Sequence, residues 1–187
     1  SSLPHDSIAA WQWDLDNDGI YNDASGDTIV HFFLTAGTFS VAVKITPKPG
    51  NGNPDTLTQN VIILPLPQVN FFVDNLCKGK NATYISQSTI SSGNIAQYIW
   101  DFHNDGAGFG SGDTAMFNNG TAGTYQTKLT CISDSGCSAF AIKTTTVYPN
   151  PDSAFTYANT CLGDNTQFTN TDTIANQGYY KWDFGDG

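Results

Sequence analysis

The chain has 187 residues; its 17 acidic side chains are all Asp, its 7 basic ones all Lys, and the formal net charge is −10. With no Arg and this excess of carboxylates it lacks the means to neutralise phosphates or fork onto guanine, which excludes nucleic acid and anionic membrane as partners. Helix is disfavoured too, because Asp and Asn bond to the backbone in turns while Thr, Val, Ile and aromatics favour strands, and no apolar run approaches the roughly 20 residues a spanning helix needs.

In chain order, the first strong signal is Trp11-Gln-Trp13-Asp14, an alternating segment whose two Trp share one face. Trp13 is expected in a core, with Trp11 packed at its edge rather than offered for sugar stacking. The tripeptide beginning at Trp13 returns as Trp100-Asp101-Phe102 and Trp182-Asp183-Phe184, at separations of 87 and 82 residues. That spacing marks a repeat. Directly after Trp13, the run Asp14-Leu-Asp16-Asn-Asp18-Gly19-Ile20 sets carboxylates at alternate positions before a glycine turn. This spacing folds three carboxylates around one calcium ion, with the Ile20 carbonyl as a further ligand and Asp23 or Asp27 left to complete the shell, Asp23 being the expected fifth. The twelfth position is Ser25 rather than Glu and no helical pattern flanks the loop, so an EF-hand is excluded. The competing reading is an Asx-rich turn with solvated carboxylates.

Further on, Phe39-Val41-Val43-Ile45 alternates, Gly50-Asn-Gly-Asn-Pro54 breaks the chain and Val61-Ile-Ile-Leu64 is apolar, a pattern of antiparallel strands. Gly37 opens Gly-Thr-Phe-Ser-Val-Ala-Val 24 positions after Trp13, and Gly123 opens Gly-Thr-Tyr-Gln-Thr-Lys-Leu 23 positions after Trp100. Repeat two is therefore legible whole. Its strands are expected near 69–74, 81–88, 96–102, 113–117, 124–133 and 138–147, with Tyr98, Trp100 and Phe102 facing inward. Its opening Pro67-Gln-Val-Asn-Phe71 returns as Pro151-Asp-Ser-Ala-Phe155, and Cys77 and Gly79 return as Cys161 and Gly163, all at an offset of 84. The expected domains are 1–66, missing its N-terminal part; 67–149, complete; and 150–187, missing its C-terminal half. Strands at such short intervals suit an all-β, immunoglobulin-like antiparallel sandwich. His103 stands where repeat one has Asp16, so calcium is not expected in repeat two.

Cys131 falls on the inward beat of Tyr125, Thr127 and Leu129 and is expected as a buried filler. Cys77 and Cys137, the latter just past the turn Ser133-Asp-Ser-Gly136, are expected to form a disulfide, with Cys161 waiting for an equivalent partner. A Cys131–Cys137 hairpin bridge is the rival. No Cys-x-x-Cys spacing favours a thiolate metal site, and either bridge would imply an oxidising, extracytoplasmic location.

The hexapeptide Trp182-Asp-Phe-Gly-Asp-Gly187, with Ala36-Gly-Thr-Phe-Ser-Val-Ala-Val43 and Ala122-Gly-Thr-Tyr-Gln-Thr-Lys-Leu129 downstream of the other two Trp, resembles the PKD (polycystic kidney disease) domain. Repeats one and two depart from it after the Trp, reading Asp-Leu-Asp-Asn-Asp-Gly and Asp-Phe-His-Asn-Asp-Gly. The resemblance implies tandem PKD-type β-sandwiches used as spacer or interaction modules on secreted and cell-surface proteins. The Cys-x-Gly opening with a later Gly-Cys is similar to repeats of very long Bacteroidetes surface proteins, including gliding adhesins and type IX secretion cargo.

Catalytic readings find little support. The three His, at 5, 31 and 103, occupy different repeat positions and no Gly-x-Ser-x-Gly occurs, so a nucleophile with a positioned base is not expected. Asp-[Ser/Thr]-apolar triplets exceed what composition predicts and resemble a Bacteroidetes O-glycosylation acceptor, which marks Ser7, Thr28, Thr56, Thr114, Ser153 and Thr173 as candidate glycan sites. Copying between repeats and the use of Asp-Thr at turn-to-strand junctions explain the same excess. Asn81-Ala-Thr83 and Asn119-Gly-Thr121 match the N-linked pattern. The expected function is a non-catalytic stalk or adhesive array of a large secreted or surface protein, stiffened by prolines at Leu64-Pro-Leu-Pro67 and Pro149-Asn-Pro151. The alternative is an accessory PKD spacer of a secreted hydrolase. Neighbouring repeats, surface glycans and secretion or outer-membrane machinery are the expected partners, and calcium the one expected cofactor.

Overall fold

Alternation of inward and outward side chains organises the strands of the computed structural model, which describes residues 7–74, 76–107, 109–151, 153–172 and 181–185. The chain gathers into two compact units, Ser1–Gln68 with Thr89–Ala96 and Ile132–Ala139, and Val69–Ser88 with Gln97–Cys131 and Phe140–Gly187. The architecture is all-β and antiparallel. No helix among the described residues is long and apolar enough to cross a membrane.

Repeat one forms one sheet from β1 (Ile8–Asp14), β2 (Ala24–Ser25), β3 (Gly37–Pro47) and β4 (Asp55–Ile63), in the order β2-β1-β3-β4. Trp13 lies opposite Val43, and Val43 in turn opposite Leu57, so the alternating apolar positions share one face. That face is only half covered. Val41, Val43 and Ile45 are half-buried, whereas the matching Thr127, Leu129 and Cys131 of repeat two are fully buried.

Repeat two is a two-layer sandwich. One sheet holds β5 (Phe71–Asp74), β6 (Asn81–Ser86) and β9 (Thr114–Asn118). The other holds β7 (Ile95–Asp101), β8 (Phe109–Ser111), β10 (Gly123–Ser133) and β11 (Ser138–Val147), in the order β11-β10-β7-β8. Trp100, 0% exposed, meets Phe71 edge-on at 5.3 Å and Tyr84 at 5.8 Å, while Phe102 stacks on Phe117 at 4.3 Å. These rings join the layers, and such pairs contribute beyond the area they bury. The polar core positions are satisfied from within: Thr127 Oγ1 donates to the Phe102 carbonyl at 2.9 Å. At the open side, Lys143 Nζ donates to the Phe71 carbonyl at 2.6 Å and lies over the Phe71 ring, tying β11 to β5. Six strands fall within two residues of their expected positions; β8 is additional. Its three residues are too few for an alternation to register, and Gly110 within it is required by packing, because a Cβ there would lie 2.9 Å from the Phe102 ring and 3.1 Å from Ala115 Cβ.

In repeat three, β12 (Phe155–Tyr157) pairs antiparallel with β13 (Phe168–Asn170). Phe155 meets Trp182 at 5.5 Å and Phe168 meets it at 6.1 Å, repeating the contacts of Phe71 and Tyr84 with Trp100. Trp182 nonetheless stays 40% exposed. Full burial of the repeat Trp between two sheets is thus realised at Trp100, not at the half-covered Trp13 or at Trp182.

The cysteines overturn the expected bridge. Cys77, Cys131, Cys137 and Cys161 are all free thiols. Cys77 pairs in a short bridge with Tyr148, just beyond the C-terminal end of β11, whereas Cys137 immediately precedes its N-terminal end. Eleven residues of extended chain separate those ends by on the order of 35 Å, against the roughly 7 Å between Cα atoms that a disulfide spans. The rival Cys131–Cys137 bridge is also unformed, since Cys131 points into the core and donates to Ser88 Oγ at 3.4 Å, burial raising its thiol pKa. Cys131 is thus the buried filler expected. Thiol labelling of the native chain should modify exposed Cys77 and Cys161 fast, Cys137 more slowly and Cys131 only on unfolding; a 77–137 linked peptide would refute this placement.

Candidate functional site

The loop that follows β1 is built by a buried carboxylate. Asp14 ends the strand opposite Ala42 and is only 2% exposed. Its Oδ2 accepts from Gly19 N at 3.0 Å, which folds the intervening residues back over the strand end. Asn17 at φ 62° and Gly19 at φ 85° supply the left-handed conformations that this reversal needs. Asp16 Oδ1 then accepts from Asp18 N at 3.2 Å, and Asp18 Oδ1 from Ile20 N at 2.7 Å. Asp14, Asp16 and Asp18 each bring a carboxylate oxygen within 4.8 Å of the others. Asp14 Oδ1 is buried and has no hydrogen-bond partner.

Two other expected ligands are placed differently. Asp23 stands outside the converging trio; its Oδ2 accepts from Leu15 N at 2.6 Å and Asp16 N at 3.3 Å, bracing the start of the loop. The Ile20 carbonyl accepts from Asn22 N at 3.0 Å, which leaves one of its two lone pairs.

Repeat two copies the loop's turn with one of its three acids replaced. Asp101 Oδ2 accepts from Gly106 N at 3.0 Å, Asp105 Oδ1 from Ala107 N at 2.9 Å, and Asn104 takes φ 52°. Trp13 and Trp100 Nε1 likewise both donate at 2.9 Å to a glycine carbonyl, of Gly26 and of Gly112. The difference lies at the middle position. His103 turns away, stacking on Tyr125 at 4.7 Å and meeting Asn119 Oδ1 through Nε2 at 3.1 Å. With no acceptor at 103, Asp105 N donates to Asp101 Oδ1 instead, at 3.2 Å, so both oxygens of Asp101 are satisfied. In repeat one Asp16 captures the corresponding N–H. One side chain decides whether the buried carboxylate is complete.

The remaining candidates are dispersed. Thr28, Thr56, Thr114 and Ser153 are exposed and Ser7 is half-buried, while Thr173 lies outside the described residues. Asn119 is buried and its amide donates to Tyr84 Oη at 3.4 Å, which removes it as an N-glycan acceptor. His31 meets Phe33 edge-on at 4.6 Å, a structural placement, and His5 lies outside the described residues. Beside Asp16 an open cleft is lined by Leu15, His31, Phe33 and Phe39, a feature the sequence pattern did not single out because its parts come from two separate loops and β3.

No family profile matches the chain, and no curated protein sequence matches it. Among solved structures it is similar to the PKD1 domain of Vibrio anguillarum Epp, with 26% identity, a TM-score of 0.41, and coverage of 46% of this chain and 96% of that one. It is also similar to the PKD1 domain of the Vibrio cholerae metalloprotease PrtV, with 28% identity, a TM-score of 0.37, and coverage of 46% of this chain and 98% of that one. A third similar structure concerns carbohydrate-binding modules of the β-sandwich superfamily, with 25% identity, a TM-score of 0.43, and coverage of 49% of this chain and 38% of that one.

Proposed function

We propose that the chain is a non-catalytic segment of tandem PKD-type sandwiches in a large secreted or cell-surface protein, serving as a stalk or adhesive array. The observation that carries this reading is the recurrence of the same internal bonds at repeat spacing: Trp Nε1 to a glycine carbonyl, and the following Asp to the N–H of a glycine five residues on. A unit copied down to its loop bonds suits a protein whose output scales with the number of units, as an extended spacer or a multivalent surface does. Proline-containing joints at Leu64-Pro-Leu-Pro67 and Pro149-Asn-Pro151 stiffen the connections. Neighbouring repeats are the immediate partners in this reading. Surface glycans and the secretion or outer-membrane machinery are the outer ones, and the exposed Thr28, Thr56, Thr114 and Ser153 are available for O-glycosylation.

Deleting residues 1–187 from the whole protein while keeping its flanks is the test. Loss of surface attachment by the producing cells is expected. Unchanged attachment with a selective loss of hydrolysis of a polymeric substrate would favour the second reading, an accessory spacer of a secreted hydrolase.

A further inference from the structure

We propose that the loop after β1 is a calcium site, formed by Asp14, Asp16, Asp18 and the Ile20 carbonyl and confined to repeat one. The inference is independent of the stalk reading. Convergence of three carboxylates is not enough by itself, because exposed acidic turns are common without an ion. The second observation is Asp14: 2% exposed, with Oδ1 buried and unpartnered, while the same carboxylate belongs to the converging trio. Leaving a buried charged oxygen without a donor is costly, and such groups are normally paired or coordinate a metal. Repeat two supplies the internal comparison. Its equivalent carboxylate, on Asp101, accepts one N–H on each oxygen, from Asp105 and Gly106. The fold therefore has a way to satisfy this group, and repeat one gives it up.

What diverts the N–H is Asp16, whose Oδ1 accepts from Asp18 N. That substitution relative to His103 does two things together: it adds a third carboxylate to the cluster and leaves Asp14 Oδ1 without the N–H that its counterpart on Asp101 accepts. The loop's own bonds use one oxygen of Asp14, of Asp16 and of Asp18, and each carboxylate keeps a second oxygen for an ion. Ligands that are all oxygen and mostly anionic select a hard cation. A short loop with a backbone carbonyl and room for water fits the six to eight flexible oxygen contacts of calcium better than the near-ideal octahedron that magnesium demands. Asp23 is a positioning residue here. Its Oδ2 fixes the N–H groups of Leu15 and Asp16 and so sets the loop on which Asp16 and Asp18 stand.

Calcium chloride titrated calorimetrically into the intact 187-residue chain should reveal one site at or below millimolar calcium. Asp16 and Asp18 are exposed, so the double variant Asp16→Asn, Asp18→Asn should fold, with unchanged circular dichroism, and lose that equivalent. Asp105→Asn, the matching change in repeat two, should retain it. No heat from the parent chain at millimolar calcium, equal binding by the parent and the double variant, or loss of the site in Asp105→Asn would each overturn the proposal. Magnesium displacing calcium at equal concentration would overturn the choice of ion.

Discussion

Replacing Trp100 by Ala is expected to lower the stability of the repeat-two sandwich by about 3–5 kcal/mol, the range for truncating a large buried aromatic. The side chain is 0% exposed and touches both layers, through Phe71 and Tyr84 on the opposite sheet. Its Nε1 also donates to the Gly112 carbonyl at 2.9 Å, so truncation leaves that acceptor without its partner. The same change at Trp182, which stays 40% exposed, should cost much less. Denaturant unfolding of the intact chain, followed by circular dichroism, separates the two variants. Equal midpoint shifts would mean that Trp100 does not hold the sandwich in the way its contacts indicate.

The difference between these two tryptophans also separates what the sequence made legible from what it did not. Alternation placed β10 and β11 within a residue, because Tyr125, Thr127, Leu129 and Cys131 must all face one side once Leu129 does. The repeat offset identified Phe155 as the counterpart of Phe71, and its ring contact with Trp182 follows that equivalence. Neither signal reports what lies across the sheet, and hence Trp13 and Trp100 read alike in sequence but differ in cover. Cysteine pairing failed for the same reason. Cys77 and Cys137 are matched in sequence as early and late members of one repeat, yet a ten-residue strand stands between the ends at which they sit. In the loop after β1, alternate spacing identified Asp14, Asp16 and Asp18 correctly as a converging set, since a tight glycine turn leaves such side chains little choice. Spacing did not show that Asp23 stands outside this set and accepts from the backbone N–H groups of Leu15 and Asp16, which folding brings near it.

The buried carboxylates at the two loop origins should respond oppositely to loss of charge. Asp101→Asn is expected to destabilise repeat two by about 2–3 kcal/mol, because both oxygens accept backbone N–H bonds and hydrogen bonds to a charged acceptor are worth about 1.5–3 kcal/mol. An amide keeps one acceptor and turns a donor toward the other N–H, from Asp105 or Gly106. Asp14→Asn should behave differently when calcium is chelated. Its Oδ2 keeps the bond from Gly19 N, while the amide nitrogen takes the place of the unpartnered Oδ1 and removes an uncompensated buried charge. That variant should be as stable as the parent chain or slightly more so in chelator, and it should lose the stabilisation that calcium gives the parent. At a calcium concentration ten times the dissociation constant, this linkage amounts to about 1.4 kcal/mol. Thermal melts of both variants and the parent, with chelator and with calcium, decide the matter. A destabilised Asp14→Asn in chelator, matching Asp101→Asn, would mean that Asp14 Oδ1 has a protein partner and that the two loops differ only in their exposed acids.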